Sequence, residues 1–169
     1  MAEETQPRWE GKAIAELKGP TPDQVWPFLA DFCNLHKLLP SIDTCRQVEG
    51  VPGQPGLVRY CASTAASGDD SDPSKIKWAN ERLLVMDPSN KCFSYEVLDN
   101  NVGFKNYAAT VRVMPNSDGD GKMGGCMIEW SFVSDPVEGW ELQDLSSYVD
   151  FCLQSMAKKI ASAIQEGSG

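Results

Sequence analysis

Residues 145–164 read LSSYVDFCLQSMAKKIASAI, and how this stretch is read decides the fold. Leu145, Val149, Cys152, Leu153, Met156, Ile160, Ala163 and Ile164 recur at helical spacing and so share one stripe of a helix. Asp135-Pro136 and Gly139 stand before it, and Gly167-Ser168-Gly169 trails off behind. The pattern predicts a helix of about 24 residues, roughly 36 Å long at 1.5 Å per residue. Lys158 and Lys159 lie near its C-terminus, where the helix dipole favours cations. A helix with a single apolar stripe needs one surface to lie on, and almost everything before it reads as strand.

From Arg8 to Lys18 the residues Trp9, Gly11, Ala13, Ala15 and Leu17 alternate with Glu10, Lys12, Glu16 and Lys18, the signature of a half-buried strand. Gly19-Pro20 ends it. Thr21 is then the expected N-cap of a helix, with Pro22 in the first turn and Gln24 at the capping-box position. Pro27 limits that helix to a short one, because proline has no N–H and crowds the preceding turn. A second short helix is expected over Phe32 to Leu38, stopped by Pro40. Strands follow at Thr44–Glu49, Leu57–Thr64, Lys75–Met86, Lys91–Asp99, Phe104–Val113 and Cys126–Val133, joined by short turns that imply antiparallel hairpins. The loops Ala65–Ser74 and Pro115–Gly125, rich in Gly, Ser and Asp, are expected to be mobile.

One helix cannot cover both faces of seven strands, so the sheet must curl around it. The fold class expected is therefore α+β: a seven-stranded curved antiparallel sheet wrapped around a long C-terminal helix, with two short helices after strand 1. Ala79, Ala109 and Cys61 face inward in this reading and are small, which points to a cavity between sheet and helix. A single ligand-binding domain over residues 8–166 is expected, with 1–7 and 167–169 as flexible tails.

Charged residues on apolar strand faces stand out. Over Lys75–Met86 one face reads Lys77, Ala79, Glu81, Leu83, Val85, which places Glu81 between Ala and Leu. A buried carboxylate without a partner is costly, so a partner is expected. Arg59 shares its face with Leu57 and Cys61 and is the candidate; Tyr107 shares a face with Ala109, Val111 and Val113. Glu81, Arg59 and Tyr107 thus form a candidate catalytic group: a proton-shuttling carboxylate tuned by a cation, beside an orienting phenol. Phe104, Tyr95, Trp130 and Leu83 are expected to contribute ligand-binding surface around it.

Several segments resemble the plant lachrymatory-factor synthase family. They are Trp9-Glu10-Gly11-Lys12, Gln24-Val25-Trp26, Asp31 through Lys37, Leu39-Pro40-Ser41, Val48-Glu49-Gly50, Gly56 through Tyr60, Trp78 through Leu83, Asn106 through Thr110 and Glu129 through Phe132. The resemblance runs in order from Trp9 to the last helix. It implies membership of the Bet v 1 and START-like superfamily, with its polyketide cyclase and abscisic-acid receptor branches, and hence the helix-grip fold. The enzyme of that family isomerises an alkenyl sulfenic acid to a thial S-oxide. Its active-site Arg, Glu and Tyr correspond to Arg59, Glu81 and Tyr107, with the Glu in proton transfer and the other two holding the S–O group. Phe104 stands where that enzyme has a second Tyr, and the loop 65–74 is differently composed. The gate signature Ser-Gly-Leu-Pro-Ala of the abscisic-acid receptor branch is absent from the sequence.

Other classes fit poorly. A net charge of −9 opposes nucleic acid and anionic membranes, since nothing basic clusters. The N-terminal residues lack signal-peptide character and no run of about 18 apolar residues occurs, so a cytoplasmic protein without membrane insertion is expected. The six cysteines form no C-x-x-C pair and are read as reduced, mostly buried residues; with one histidine, no metal and no cofactor is expected. Asn116 through Gly121 only echoes a calcium loop, because Met127 occupies the place of the bidentate Glu. His36 is read as a helix residue near the cavity mouth or surface. The partner expected is a small apolar metabolite, bound by an enzyme or by a non-catalytic carrier, with the oligomeric state open.

Overall fold

A computed structural model of the chain describes residues 8–39, 42–63, 77–117 and 123–167. Seven antiparallel strands form one sheet: β1 (Trp9–Leu17), β2 (Thr44–Glu49), β3 (Val58–Ser63), β4 (Lys77–Asp87), β5 (Cys92–Asn100), β6 (Ala108–Ser117) and β7 (Met123–Ser134), in the spatial order β1-β7-β6-β5-β4-β3-β2. Helices α1 (Pro22–Ala30) and α2 (Leu142–Gly167), with a 3-10 turn at Phe32–Lys37, complete it. The chain thus leaves one sheet edge at β1, crosses through α1 and the 3-10 turn to the other edge at β2, and meanders back until β7 closes against β1. This is the curved-sheet, helix-grip architecture expected.

Local chemistry explains the elements. Thr21 caps α1 with a complete capping box: Gln24 N donates to Thr21 Oγ1 (3.2 Å) and Thr21 N donates to Gln24 Oε1 (2.9 Å). Pro27 sits inside α1, which is nine residues long. On α2 the residues Leu145, Val149, Cys152, Leu153, Met156 and Ile160 are buried in the core shared with the sheet. At 26 residues, α2 is about 39 Å long. Gly11 on β1 permits a close approach, because a Cβ there would stand 2.4 Å from Phe132 Cζ and 3.2 Å from Ser146 Oγ of α2.

Three sequence expectations need correction. The alternation of β4 holds from Ala79 to Leu83 and then breaks: a register shift between Leu83 and Val85 turns Val85 outward, and Met86 packs on the core instead. Phe104 and Tyr107 precede β6 rather than lying on it. Asn106 adopts a positive φ of 54° that ends any extended run, and Asn100 organises the turn, its Oδ1 accepting from Val102 N, Gly103 N and Phe104 N. Strands β6 and β7 also extend into the stretch Pro115–Gly125, with a register shift between Pro115 and Ser117 that accommodates the proline. The loop 65–74, residues 118–122, Pro40 and the tails 1–7 and 168–169 lie outside the described residues. Among the described residues no helix is long and apolar enough to cross a membrane.

Candidate functional site

A cavity of about 120 Å³ lies between the sheet, α1, the 3-10 turn and α2. Its wall is mostly apolar, including Phe28, Leu35, Leu39, Ala79, Phe93 and Val111. Arg59, Glu81, Tyr95, Phe104, Tyr107 and Trp130 all line it. Leu83 does not. It is fully buried two residues beyond Glu81, where its peptide exchanges hydrogen bonds with the Gly56–Leu57 turn, and it packs as core.

The polar centre is built by strand pairing. Arg59 on β3 and Glu81 on β4 are directly opposed in register, so their side chains emerge side by side on the concave face. Nε and Nη2 of Arg59 lie 2.8 and 2.6 Å from Glu81 Oε1, and Nη1 donates to the Phe32 carbonyl at 2.6 Å. The guanidinium carbon stands 3.8 Å from the centroid of the Phe32 ring and 5.3 Å from that of Tyr95. Arg59 therefore ties the 3-10 turn to the sheet as well as holding the carboxylate. Burial works against its charge, but the Glu81 carboxylate, helped by neighbouring thiols and Tyr95, outweighs that and holds it above its ordinary range. Both contacts from Arg59 fall on Oε1, so the guanidinium does not take up Oε2 of this cavity-lining carboxylate.

Aromatic residues complete the chamber. Tyr95 pairs in register with Leu83 and Ala109, and its ring leans on Phe32, Phe93 and Tyr107. Tyr107 is held from three sides: its ring stacks on Phe132 at 6.1 Å, its carbonyl accepts from Val97 N, and Phe104 packs 5.1 Å away. The loop that carries it is pinned further by Arg8, which donates to the Asn106 carbonyl, and by Asn106, which donates to Asp135. Burial pushes the Tyr107 phenol upward despite hydrogen-bonding interactions with Tyr95 and Trp130; burial likewise raises Tyr95, with Tyr107 and Glu81 adding to it. The Trp130 indole Nε1 is buried beside Tyr107 in the cavity lining and has no hydrogen-bond partner of good geometry among the described residues.

Among the lining residues that the sequence reading did not single out, Tyr148 brings a hydroxyl. Tyr148, on α2 between Leu145 and Cys152, is 43 % exposed along its outer side. Its hydroxyl nevertheless points inward beside Cys152, and burial raises its pKa, with Cys152, Glu81 and Tyr107 adding to the effect. Spacing held the signal, since Tyr148 is three residues after Leu145 and four before Cys152 on the buried stripe. His36 lies on the 3-10 turn away from the cavity lining, half-buried beside Cys45.

Chemically, the arrangement offers the Glu81 carboxylate, three phenols and an indole N–H around a small apolar space, with Asp31, Ser63 and Lys77 also on its lining. Residues 16–164 match the sequence model of the family described as polyketide cyclase / dehydrase and lipid transport. Among solved structures the chain is similar to XoxI from Bacillus cereus, with 21% identity and a TM-score of 0.71 over 95% of this chain and 98% of that one. An uncharacterized protein from Bacillus thuringiensis gives 21% identity and 0.68 over 92% and 98%, and a solution structure from Thermobifida fusca gives 20% and 0.66 over 90% and 93%. At such identities the likeness speaks for the fold. The chain belongs to the polyketide cyclase / dehydrase and lipid transport family, within the Bet v 1 and START-like superfamily.

Proposed function

We propose that the protein binds a small, largely apolar metabolite and isomerises it by proton transfer at Glu81, in the manner of a lachrymatory-factor synthase acting on a sulfenic acid or a related small molecule. One observation carries this reading: a carboxylate buried beside a cation lines a small, phenol-lined apolar chamber. Low polarity around the pair strengthens every interaction with a developing charge. For an alkenyl sulfenic acid, Glu81 Oε2 takes the proton of the S–O–H group. The same proton returns to the alkene carbon distal to sulfur, leaving a thial S-oxide with no net change in atoms. The S–O oxygen, which gathers negative charge between the two transfers, is the natural acceptor for the Tyr107 or Tyr95 hydroxyl and the Trp130 Nε1–H.

Arg59 takes a different part from that implied by the family resemblance. Three of its five N–H groups are directed to Glu81 and the Phe32 carbonyl, so its first part is to position Glu81. The chamber's size argues for a compact substrate. At about 120 Å³ it is of the order of the roughly 150 Å³ engineered cavity that accepts benzene, and below the several hundred Å³ common for larger ligands.

The alternative is a non-catalytic carrier of an apolar plant metabolite or lipid, favoured by the apolar lining and the family description. The two separate in one assay. Alkenyl sulfenic acid generated in situ is expected to yield thial S-oxide faster with wild type than without protein. Tyr107→Phe, which keeps the ring stack, is expected to lose about 10-fold or more, and Glu81→Gln to lose 100-fold or more, the usual scale for a proton-transfer group. Melting curves on both variants distinguish lost chemistry from lost folding. If wild type matches the protein-free rate, the isomerase reading for this substrate fails. A metabolite then retained from plant extract, identified by mass spectrometry, would support the carrier.

A further inference from the structure

Cys45 and Cys61 are opposed residues of the antiparallel pair β2–β3, and their sulfurs stand 3.4 Å apart with no bond between them. Opposed residues on antiparallel strands have Cα atoms about 4.5–5.5 Å apart, inside the 4.4–6.8 Å span of a disulfide. Closing to the bond length of about 2.05 Å needs a movement of only about 1.4 Å. Strand β2 can supply it, because it is the sheet edge, is exposed over Arg46–Glu49 and has a register irregularity between Gln47 and Glu49.

The surroundings treat the two sulfurs differently. Cys45 is half-buried, and the groups around it favour its thiolate: the Cys61 thiol donates to its sulfur, Arg59 lies nearby, and Leu35 N–H and the His36 ring interact with it. These hold Cys45 below the ordinary thiol range against the opposing effect of burial. Cys61 is buried and raised, first by that same hydrogen bond and then by desolvation; it is the partner that keeps its proton. Cys33, the third thiol of the cluster, is raised by burial and by Cys45. This is a poised nucleophile with a second thiol already against it, the arrangement of a dithiol that oxidises in two steps.

We propose that Cys45 and Cys61 form an oxidation site at which a hydroperoxide produces a reversible cross-strand disulfide. The Cys45 thiolate attacks the O–O bond, becoming a sulfenic acid while the distal oxygen leaves as alcohol or, from hydrogen peroxide, as water. Cys61 then gives up its proton and attacks the Cys45 sulfur, forming the S–S bond and expelling water. Both thiols together lose two electrons and two protons to the peroxide. The bridge staples edge strand β2 to the wall that carries Arg59, and it draws the cavity-lining Cys61 toward β2.

The test uses the full chain and hydrogen peroxide. Free thiols counted after denaturation fall from six to four, since one disulfide consumes two. Tryptic mapping joins the peptide 38–46 to the peptide 60–75, and dithiothreitol separates them. The reaction is expected to run about 10-fold faster on the native protein than on the urea-unfolded chain, because only the native surroundings favour the Cys45 thiolate. In Cys61→Ser the sulfenic acid persists on Cys45 and is trapped by dimedone, with no cross-link. A count that stays at six, a cross-link from Cys33 to Cys45, or sulfinic acid on Cys45 in wild type with no cross-link overturns the proposal. Each of these is read on wild type, so a variant that fails to fold does not rescue it.

Discussion

Arg59–Glu81 and Arg82–Glu96 are the same chemical pair, built from neighbouring positions of β4 and facing opposite ways. Each joins an arginine to a glutamate directly across an antiparallel ladder. The first has side chains only 6% and 14% exposed and looks into the cavity; the second, at 46% and 29%, looks into water. Alternation along one strand separates them. The consequence is thermodynamic. Outside, solvent screens the attraction, and holding two long side chains together cancels much of what remains. Inside, both side chains are largely out of water, and the charge of Arg59 is supported first by the Glu81 carboxylate. A buried pair is poor evidence of net stabilisation, so the placing of Arg59–Glu81 in a cavity wall speaks for a task rather than for stability.

The largest expected effect breaks the inner pair. Glu81→Gln keeps an oxygen beside Arg59 but removes its charge, leaving the guanidinium buried with only neutral partners: an amide oxygen, the Phe32 carbonyl and two aromatic rings. Removing one partner of a buried ion pair costs about 3–5 kcal/mol. At about 2–4 °C per kcal/mol for a chain of this size, the melting temperature should fall on the order of 10 °C. A Glu81→Gln protein that melts with wild type would mean that water reaches the pair, and the contrast between the two sides of β4 would disappear.

Sequence parity found this contrast because Ala79, Glu81 and Leu83 obey a period of two while Arg82 falls on the other face. Arg59 was named as the partner because it shares a face with Leu57 and Cys61, and β3 pairs with β4 from Val58 to Ser63 without a register break. Where the chain departs from the ideal ladder, parity failed. The shift after Leu83 exchanged Val85 for Met86, and Leu83 itself became core instead of cavity wall. Nothing in composition marks a bulge, which is an accommodation between two strands rather than a property of either. Tyr107 was placed on the correct face for an incomplete reason. It belongs to a turn fixed by Asn100 and by the positive φ of Asn106, and no alternation rule describes such a turn. Tyr148 was missed because it lies at the edge of the α2 stripe, where spacing alone does not separate a lining phenol from an exposed one. The long helix was read well, since a 3.6-residue period repeated over seven turns overrides local noise.

A middle-sized effect sharpens the comparison by disturbing the cavity without touching its charges. Gly11→Ala places a methyl group 2.4 Å from Phe132 Cζ, and Phe132 is the ring on which Tyr107 stacks. Neither the β1 backbone nor the ring can yield freely, with α2 behind them, so overpacking should cost about 1–3 kcal/mol in denaturant unfolding. The prediction has a second reading. If Tyr107 orients the ligand, sulfenic acid turnover falls more than the population of folded protein does. Equal losses would mean that the phenol's position is unimportant.

The smallest effect belongs to the outer pair. Glu96→Gln is expected to change unfolding free energy by about 0.2–1 kcal/mol, the range measured for exposed ion pairs. Raising salt to 1 M shortens the screening length to about 3 Å and should erase even that difference, while the Glu81→Gln difference persists because buried charges are screened far less. Salt therefore tests the comparison more directly than either substitution alone. If both differences shrink together, the inner pair stands in solvent as the outer one does, and a low-polarity chamber around Glu81 is lost as the basis for its chemistry. If only the outer one shrinks, the two faces of β4 are two different solvents for one ion pair.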